Sequence, residues 1–238
     1  MEKTEHSPEE TPVNISPEVE TDYIAEETQA ETFLTKNKNI LTYGLGGIML
    51  LIFGIWAYNY FVLTPKEKEA QTALYPLQME LERDSTGAML KPGPMGMSIT
   101  EVADEYSATE TGNLAAYTAG VALMHEGKYK EAIEYLEDFN TSSKLHEPLS
   151  LGLIGDAYSQ LKNYEDAADY YIRAAKADDN AFTASMYYKK AGLVYEELGE
   201  YEDAVDAYQT IKDDYPQSEA GTSIDKYLMR AKARVDYN

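Results

Sequence analysis

The side chains able to do chemistry are few and badly spaced for it. His6, His125 and His146 are the three imidazoles of the 238-residue chain. His125 and His146 each precede a glutamate, in HEG and HEP, but neither has a second histidine at the spacing that lets one helix face hold zinc. The chain has no cysteine, which removes disulfides, thiolate ligands, a thiol nucleophile and an acylated cysteine. The glycine-rich GLGG at Gly44 lies inside an apolar run and follows no strand, so it does not read as a phosphate loop. Carboxylate pairs such as Asp213-Asp214 fit solvated helix faces. Twenty basic against 42 acidic side chains give a net charge of -22. That balance opposes nucleic-acid binding, because like charges repel and no counterions are released. The sequence therefore points away from an enzyme, a metal and a cofactor, and toward binding. Its unusual resource is aromatic: 21 Tyr against 5 Phe and one Trp. Tyr170, Tyr171, Tyr187, Tyr188 and Tyr195 suit thin helix pairs, where a ring packs while its hydroxyl stays wet.

Three regions position these residues. Met1 to about Glu31 carries ten acidic residues against Lys3 and has few large apolar groups, so residues 1–35 read as a disordered acidic tail. A docking tail for a basic partner is the sharper alternative. Ile40 to Leu63 contains no charge and, as a helix, is long enough to cross a bilayer's hydrocarbon core. Tyr43 and Trp56, Tyr58 and Tyr60 suit the two interfaces. The run begins too late and is too long for a cleavable signal peptide. Residues 36–64 are therefore expected to form a retained single-pass membrane helix with its flanks. Lys36 and Lys38 on one side and Lys66 and Lys68 on the other tie the positive-inside count. Gly44, Gly47, Leu51, Gly54 and Tyr58 share one side of this helix, where small residues permit packing on another membrane helix.

Residues 65–238 hold 17 basic and 32 acidic side chains and show helical rather than alternating periodicity. Three gap-free segments repeat, beginning near Tyr117, Leu153 and Lys189. Gly120, Gly155 and Gly192 are spaced by 35 and 37 residues, as are Ala132, Ala167 and Ala204. The pattern predicts two helices per unit, with a small residue where they cross, an alanine facing it, and a turn at Gly127, Lys162 or Gly199. One such unit cannot bury its apolar stripe alone, so units stack. The sequence resembles tetratricopeptide repeats (TPRs), in the small eighth residue, the alanine at the twentieth and the late Pro216. The resemblance implies an all-α solenoid of about three and a half helix-turn-helix repeats. These are a partial repeat near 66–107, repeats near 111–140, 146–177 and 183–216, and a capping helix near 218–236.

TPR geometry transfers a concave partner-binding face onto Leu114, Tyr117, Val121, Met124, Gly152, Asp156, Gln160, Met186, Lys189, Leu193 and Glu196. Only Lys189 among the clamp-equivalent positions is basic, so the paired clamp some TPRs use on a C-terminal carboxylate is expected to be missing. The mix of Leu, Met and Tyr fits an apolar segment. The whole layout, with Glu105–Gly120 (EYxxTxxGNLAxYxAG) and Gly152–Leu161 (GxIGDAYxxL), resembles the ancillary SecYEG translocon subunit (YfgM-like) family. That resemblance implies a bacterial inner-membrane protein with its N-terminus cytoplasmic and its TPR domain periplasmic. It implies SecYEG and a PpiD-type periplasmic chaperone as partners, with unfolded secretory clients as further ligands. A TPR scaffold for another envelope assembly is the competing expectation.

Overall fold

The computed structural model describes residues 35–81, 86–141 and 143–237. The acidic tail inferred from the sequence lies outside the described residues, apart from its last position. The chain divides into two compact units, 1–59 and 60–238.

In the first unit, helix α1 is Lys38–Tyr58. It is apolar all round, and Leu50, Phe53, Ile55 and Trp56 are all exposed. A helical run over Lys38–Met79 includes an 18-residue window of mean hydropathy 2.0, none of it buried. It is long and apolar enough to cross a membrane. A helix meets the demand of a lipid environment because its backbone groups are satisfied within the segment.

The second unit is an all-α stack of helix pairs, the solenoid that the repeat spacing predicts, and no strand occurs among its described residues. A short π-helical segment, Asn59–Leu63, precedes α2 (Thr64–Leu81). Then follow α3 (Ile99–Glu105), α4 (Glu110–His125), α5 (Tyr129–Asp138), α6 (His146–Gln160) and α7 (Tyr164–Ala177). The stack ends with α8 (Ala181–Leu198), α9 (Tyr201–Asp214) and α10 (Asp225–Val235).

Local chemistry sets the helix starts. Ser98 and Glu101 form a capping box on α3, in which the Ser98 amide donates to Glu101 Oε2 at 2.7 Å and the Glu101 amide donates to Ser98 Oγ at 3.3 Å. Thr109 caps α4 by accepting from the Gly112 amide at 2.9 Å. A second acceptor reaches the same helix start from far along the chain: Glu67 of α2 takes the Thr111 amide at 3.2 Å and the Thr111 hydroxyl. A carboxylate at a helix N-terminus meets unpaired amides and the positive end of the dipole. Burial works against the Glu67 charge, but these hydrogen bonds outweigh it and hold the carboxyl below its ordinary value. Asn180 caps α8 by accepting from the Phe182 amide at 3.0 Å.

The turns between paired helices share one conformation. Gly127, Lys162 and Gly199 all have left-handed backbones, with φ of 73°, 59° and 81°. Two of them are glycine, for which this region is free of Cβ strain, whereas Lys162 meets that strain.

At each crossing a glycine faces a large side chain. A Cβ on Gly120 would overlap Leu136, on Gly155 the Tyr171 ring, and on Gly192 the Tyr208 ring. Ala132, Ala167 and Ala204 are fully buried beside them. The core is a chain of local clusters. One joins Leu74 and Leu77 of α2 to Met89, Ile99, Val102, Ala115 and Ala119. The next centre on Leu136 and Ile154, on Tyr171 and Tyr187, and on Tyr208, Ile211 and Leu228.

The capping region departs from the single helix expected from about residue 218. Gly221–Ser223 form a 3-10 turn and α10 begins only at Asp225. Ser218 Oγ accepts from the Gly221 amide at 2.9 Å. A side chain at Gly221 would meet the Tyr215 and Pro216 backbone, so the chain is folded tightly before the helix can start.

Two substitutions should move stability in opposite directions. Gly192→Ala forces a methyl into the buried Tyr208 ring and should cost about 1–3 kcal/mol. Lys162→Gly relieves a left-handed residue at a helix end and should add about 0.5–1 kcal/mol. Urea unfolding of both variants checks this; an unchanged midpoint for Gly192→Ala would contradict the crossing geometry.

Candidate protein-binding site

The residues assigned to the concave face lie on α4, α6 and α8, the first helices of three successive pairs. Leu114 and Leu193 are exposed at 42% and 38%. Tyr117, Val121, Met124, Met186, Lys189 and Glu196 are half-buried, and Gln160 is exposed. Met124, Asp156 and Gln160 come together with Tyr129, Ser159 and Tyr171 around a cleft of about 410 Å³. Met186 and Lys189 border a smaller one of about 200 Å³ with Phe182, Ser185, Glu219 and Ala220. Tyr117 packs on Phe139, ring centroids 5.0 Å apart, and edge-on against His146. Gly152 is a correction. It is buried beneath the Tyr187 ring, where any Cβ would overlap Tyr187, so it joins two repeats and presents no surface to a partner.

Asp156 and Glu196 each hold a network of side chains together. Asp156 Oδ1 accepts from the Tyr171 hydroxyl at 2.6 Å, and Lys190 Nζ donates to both Asp156 oxygens at 2.6 and 2.9 Å. Glu196 Oε1 accepts from the Tyr208 hydroxyl at 2.8 Å and from Arg230 Nη2 at 2.9 Å, while Arg230 Nε lies 2.8 Å from Oε2. Each network joins three consecutive helices: an aromatic of the second helix, a carboxylate of the first, and a cation of the next pair. The Arg230 guanidinium is held above its ordinary value chiefly by the hydrogen bond to Glu196. Burial, and then the hydrogen bond to the carboxylate, pushes the Tyr171 and Tyr208 hydroxyls well up.

The sequence reading missed Lys190, Arg230 and Tyr227 as functional neighbours. One signal was available: Asp156–Lys190 and Glu196–Arg230 are each separated by 34 residues, one TPR length. Around Tyr227 the cations gather. Lys226 Nζ, Lys189 Nζ and the Arg230 guanidinium carbon lie 4.8, 4.9 and 5.1 Å from its ring centroid. Such distances allow attraction to the ring face.

The residues expected to pack the apolar helix lie in the first unit. Leu51 and Tyr58 are exposed, and nothing lies within 4 Å of where a Cβ would stand on Gly44, Gly47 or Gly54. Among the described residues no group of three or more His, Asp or Glu side chains is placed to hold a metal ion.

Two tetratricopeptide repeat family models match the chain, one over residues 153–219 and another over residues 115–140. These segments are tetratricopeptide repeats. TPR arrays mediate protein–protein interaction and are typically scaffolds rather than enzymes, and their superhelical stacking creates extended concave surfaces. Several solved structures are similar. MamA is 18% identical, with 71% of this chain and 87% of that chain covered and a TM-score of 0.49. The Sgt2 TPR domain from Aspergillus fumigatus is 20% identical, with coverage of 62% and 83% and a TM-score of 0.40. The first TPR of Spaghetti (RPAP3), bound to an HSP90 peptide, is 21% identical, with coverage of 51% and 93% and a TM-score of 0.40. No curated protein sequence matches the chain.

Two outcomes follow from the tyrosine networks. Glu196→Ala strands the Tyr208 hydroxyl and Arg230 and should cost about 2 kcal/mol, whereas the exposed Glu197→Ala should be near neutral; chemical denaturation separates them. Tyr135, Tyr170 and Tyr187 are pushed up to about 12, by burial first and then by Asp104, Glu137 and Asp156 respectively. A folded value above the unfolded one, near 10, gives stability fully present below pH about 10 and lost as pH rises toward about 12. Melting temperatures should fall across that window, with phenolate absorbance showing these rings still protonated at its start. A flat profile would refute the assignment.

Proposed function

We propose that this protein is a non-enzymatic, membrane-anchored TPR adaptor of the Sec translocation channel. In this reading the apolar helix crosses the bacterial inner membrane with the N-terminus cytoplasmic. The repeat domain stands in the periplasm and holds a PpiD-type chaperone or an emerging client. The observation that carries the reading is the combination of an exposed apolar stretch, within the helical run Lys38–Met79, with stacked TPR pairs in a single chain. The Sec assignment draws on the motifs at Glu105–Gly120 and Gly152–Leu161. On α4 and α8, Leu114 and Leu193 supply exposed apolar contacts, and the clefts beside Met124 and Met186 give places for side chains of a bound segment. Methionine adapts its shape to varied partners, which suits a surface that meets many clients.

The mechanism is tethering. A chaperone held next to the channel by one anchored domain is concentrated where clients emerge, without tight pairwise affinity. Gly44, Gly47 and Gly54 supply the flat side of the membrane helix on which a channel helix packs closely.

Affinity purification of the full chain in mild detergent should recover Sec subunits and a membrane-anchored periplasmic chaperone. Recovery of a different envelope complex instead would favour the rival scaffold. Protease added to spheroplasts should digest the repeat domain, and a protected domain would overturn the orientation.

A further inference from the structure

We propose that the face where α8 meets α10 receives an acidic segment of a protein partner, with Lys189 and Lys226 as its charged contacts. The cleft beside Phe182 and Met186 takes an apolar side chain flanking the partner's carboxylates. This inference rests on the repeat domain being a protein-binding surface and adds the chemistry of the bound segment.

The region from residue 65 onward carries 32 acidic against 17 basic side chains, so any gathering of cations on it works against composition. Three meet on this face, around Tyr227: Lys189, Lys226 and Arg230. Arg230 is neutralised within the fold by Glu196 at 2.8 Å. The other two are not. Among the described residues, no carboxylate forms an ion pair with Lys189 or Lys226. Asp225, next in sequence to Lys226, is engaged by Lys212 at 2.8 Å. Glu219 borders the cleft with Lys189 but makes no ion pair with it.

Tyr227 holds the two free ammonium groups in one place, each within 5 Å of its ring centroid at 4.9 and 4.8 Å. Their mutual repulsion is relieved by an anion lying between or beside them. Next to Lys189 the cleft of about 200 Å³ has the size of one side chain and an apolar floor from Met186 and Ala220. Phe182 stands 62% exposed at its edge. Charge and apolar contact are thus adjacent, the arrangement that fits carboxylates alternating with hydrophobic side chains.

The occupant is a narrow chain rather than a membrane surface. A bilayer of anionic lipid presents charge over a wide area and meets the acidic remainder of the domain as well as this face. A single extended segment samples the potential only within about a Debye length, about 8 Å at physiological salt, and there Lys189 and Lys226 are cations without an ion-pair partner among the described residues.

The probe is a fluorescein-labelled peptide of alternating Leu and Glu with an amidated C-terminus, so that only side-chain carboxylates are tested. A twin peptide has Gln in place of Glu. Anisotropy is measured with the full chain in neutral-lipid nanodiscs. The Glu peptide should bind about tenfold more tightly than the Gln twin, a gap that narrows as salt is added. Lys189→Gln with Lys226→Gln should remove that preference, while Lys130→Gln, on an exposed face of α5, should not; circular dichroism checks that all variants are folded. Equal binding of both peptides, or full binding by the double variant, overturns the proposal. So does lysine-dependent binding of phosphatidylglycerol vesicles without peptide binding, which would make the face a membrane contact. Sec recovery by the unaltered chain, together with no preference of that chain for the Glu peptide, would remove this inference alone. Peptide preference without Sec recovery would remove the adaptor reading alone.

Discussion

At three crossings in the stack, one helix omits a side chain and its partner fills the space. The depth of that contact fixes how closely each pair of helices approaches. Where the filler is Leu136 the crossing is purely apolar. Where it is Tyr171 or Tyr208 the ring also delivers a hydroxyl to a carboxylate on the facing helix. The carboxylate then takes a cation from the next pair. Close approach within one repeat thereby becomes a link to its successor, and the order of the stack follows from a hole the size of a methyl group.

The same residues explain the tyrosine excess. A phenylalanine at 171 or 208 would fill the hole but leave Asp156 and Glu196 short of a donor. Partial burial would still raise the energy of those charges without the compensating hydrogen bond. The first complete pair lacks this device: Leu136 faces Gly120, and Val121 and Met124 stand on α4. Its neighbour α2 is instead fastened by Glu67 at the start of α4, so charge enters the two ends of the array in different ways.

How much was legible in the sequence varies with the range of the interaction. Helix pairing, the three turn positions and the glycine–alanine crossings are periodic and local, so they show in a self-comparison. Gly152 was misjudged because its neighbour, Tyr187, lies in the next repeat; a register position on a helix does not say which side chain leans over it. The networks of Asp156 and Glu196 were invisible one residue at a time. They emerge only when a carboxylate is compared with a cation one repeat later. The turn at Gly221–Ser223 escaped because the helical pattern of the following segment was extended back over it; Gly221, Thr222 and Ser223 are weak helix formers, and Ser218 with the backbone of Tyr215 holds the turn. The glutamate that caps α4 from a distance has no local signature at all.

The serial arrangement of the core clusters has a mechanical meaning. No cluster reaches from the first helix pair to the last, so each junction deforms on its own, and small rotations at successive crossings add along the array. The unit behaves like a shallow coil spring whose curvature, and hence the opening of its inner face, is set by a few soft hinges in series. Two of the joints are clamped by side-chain links, through Asp156 and Glu196. The junction between α5 and α6 has neither clamp, and flexing there changes the reach of the distal repeats with little disturbance of their packing.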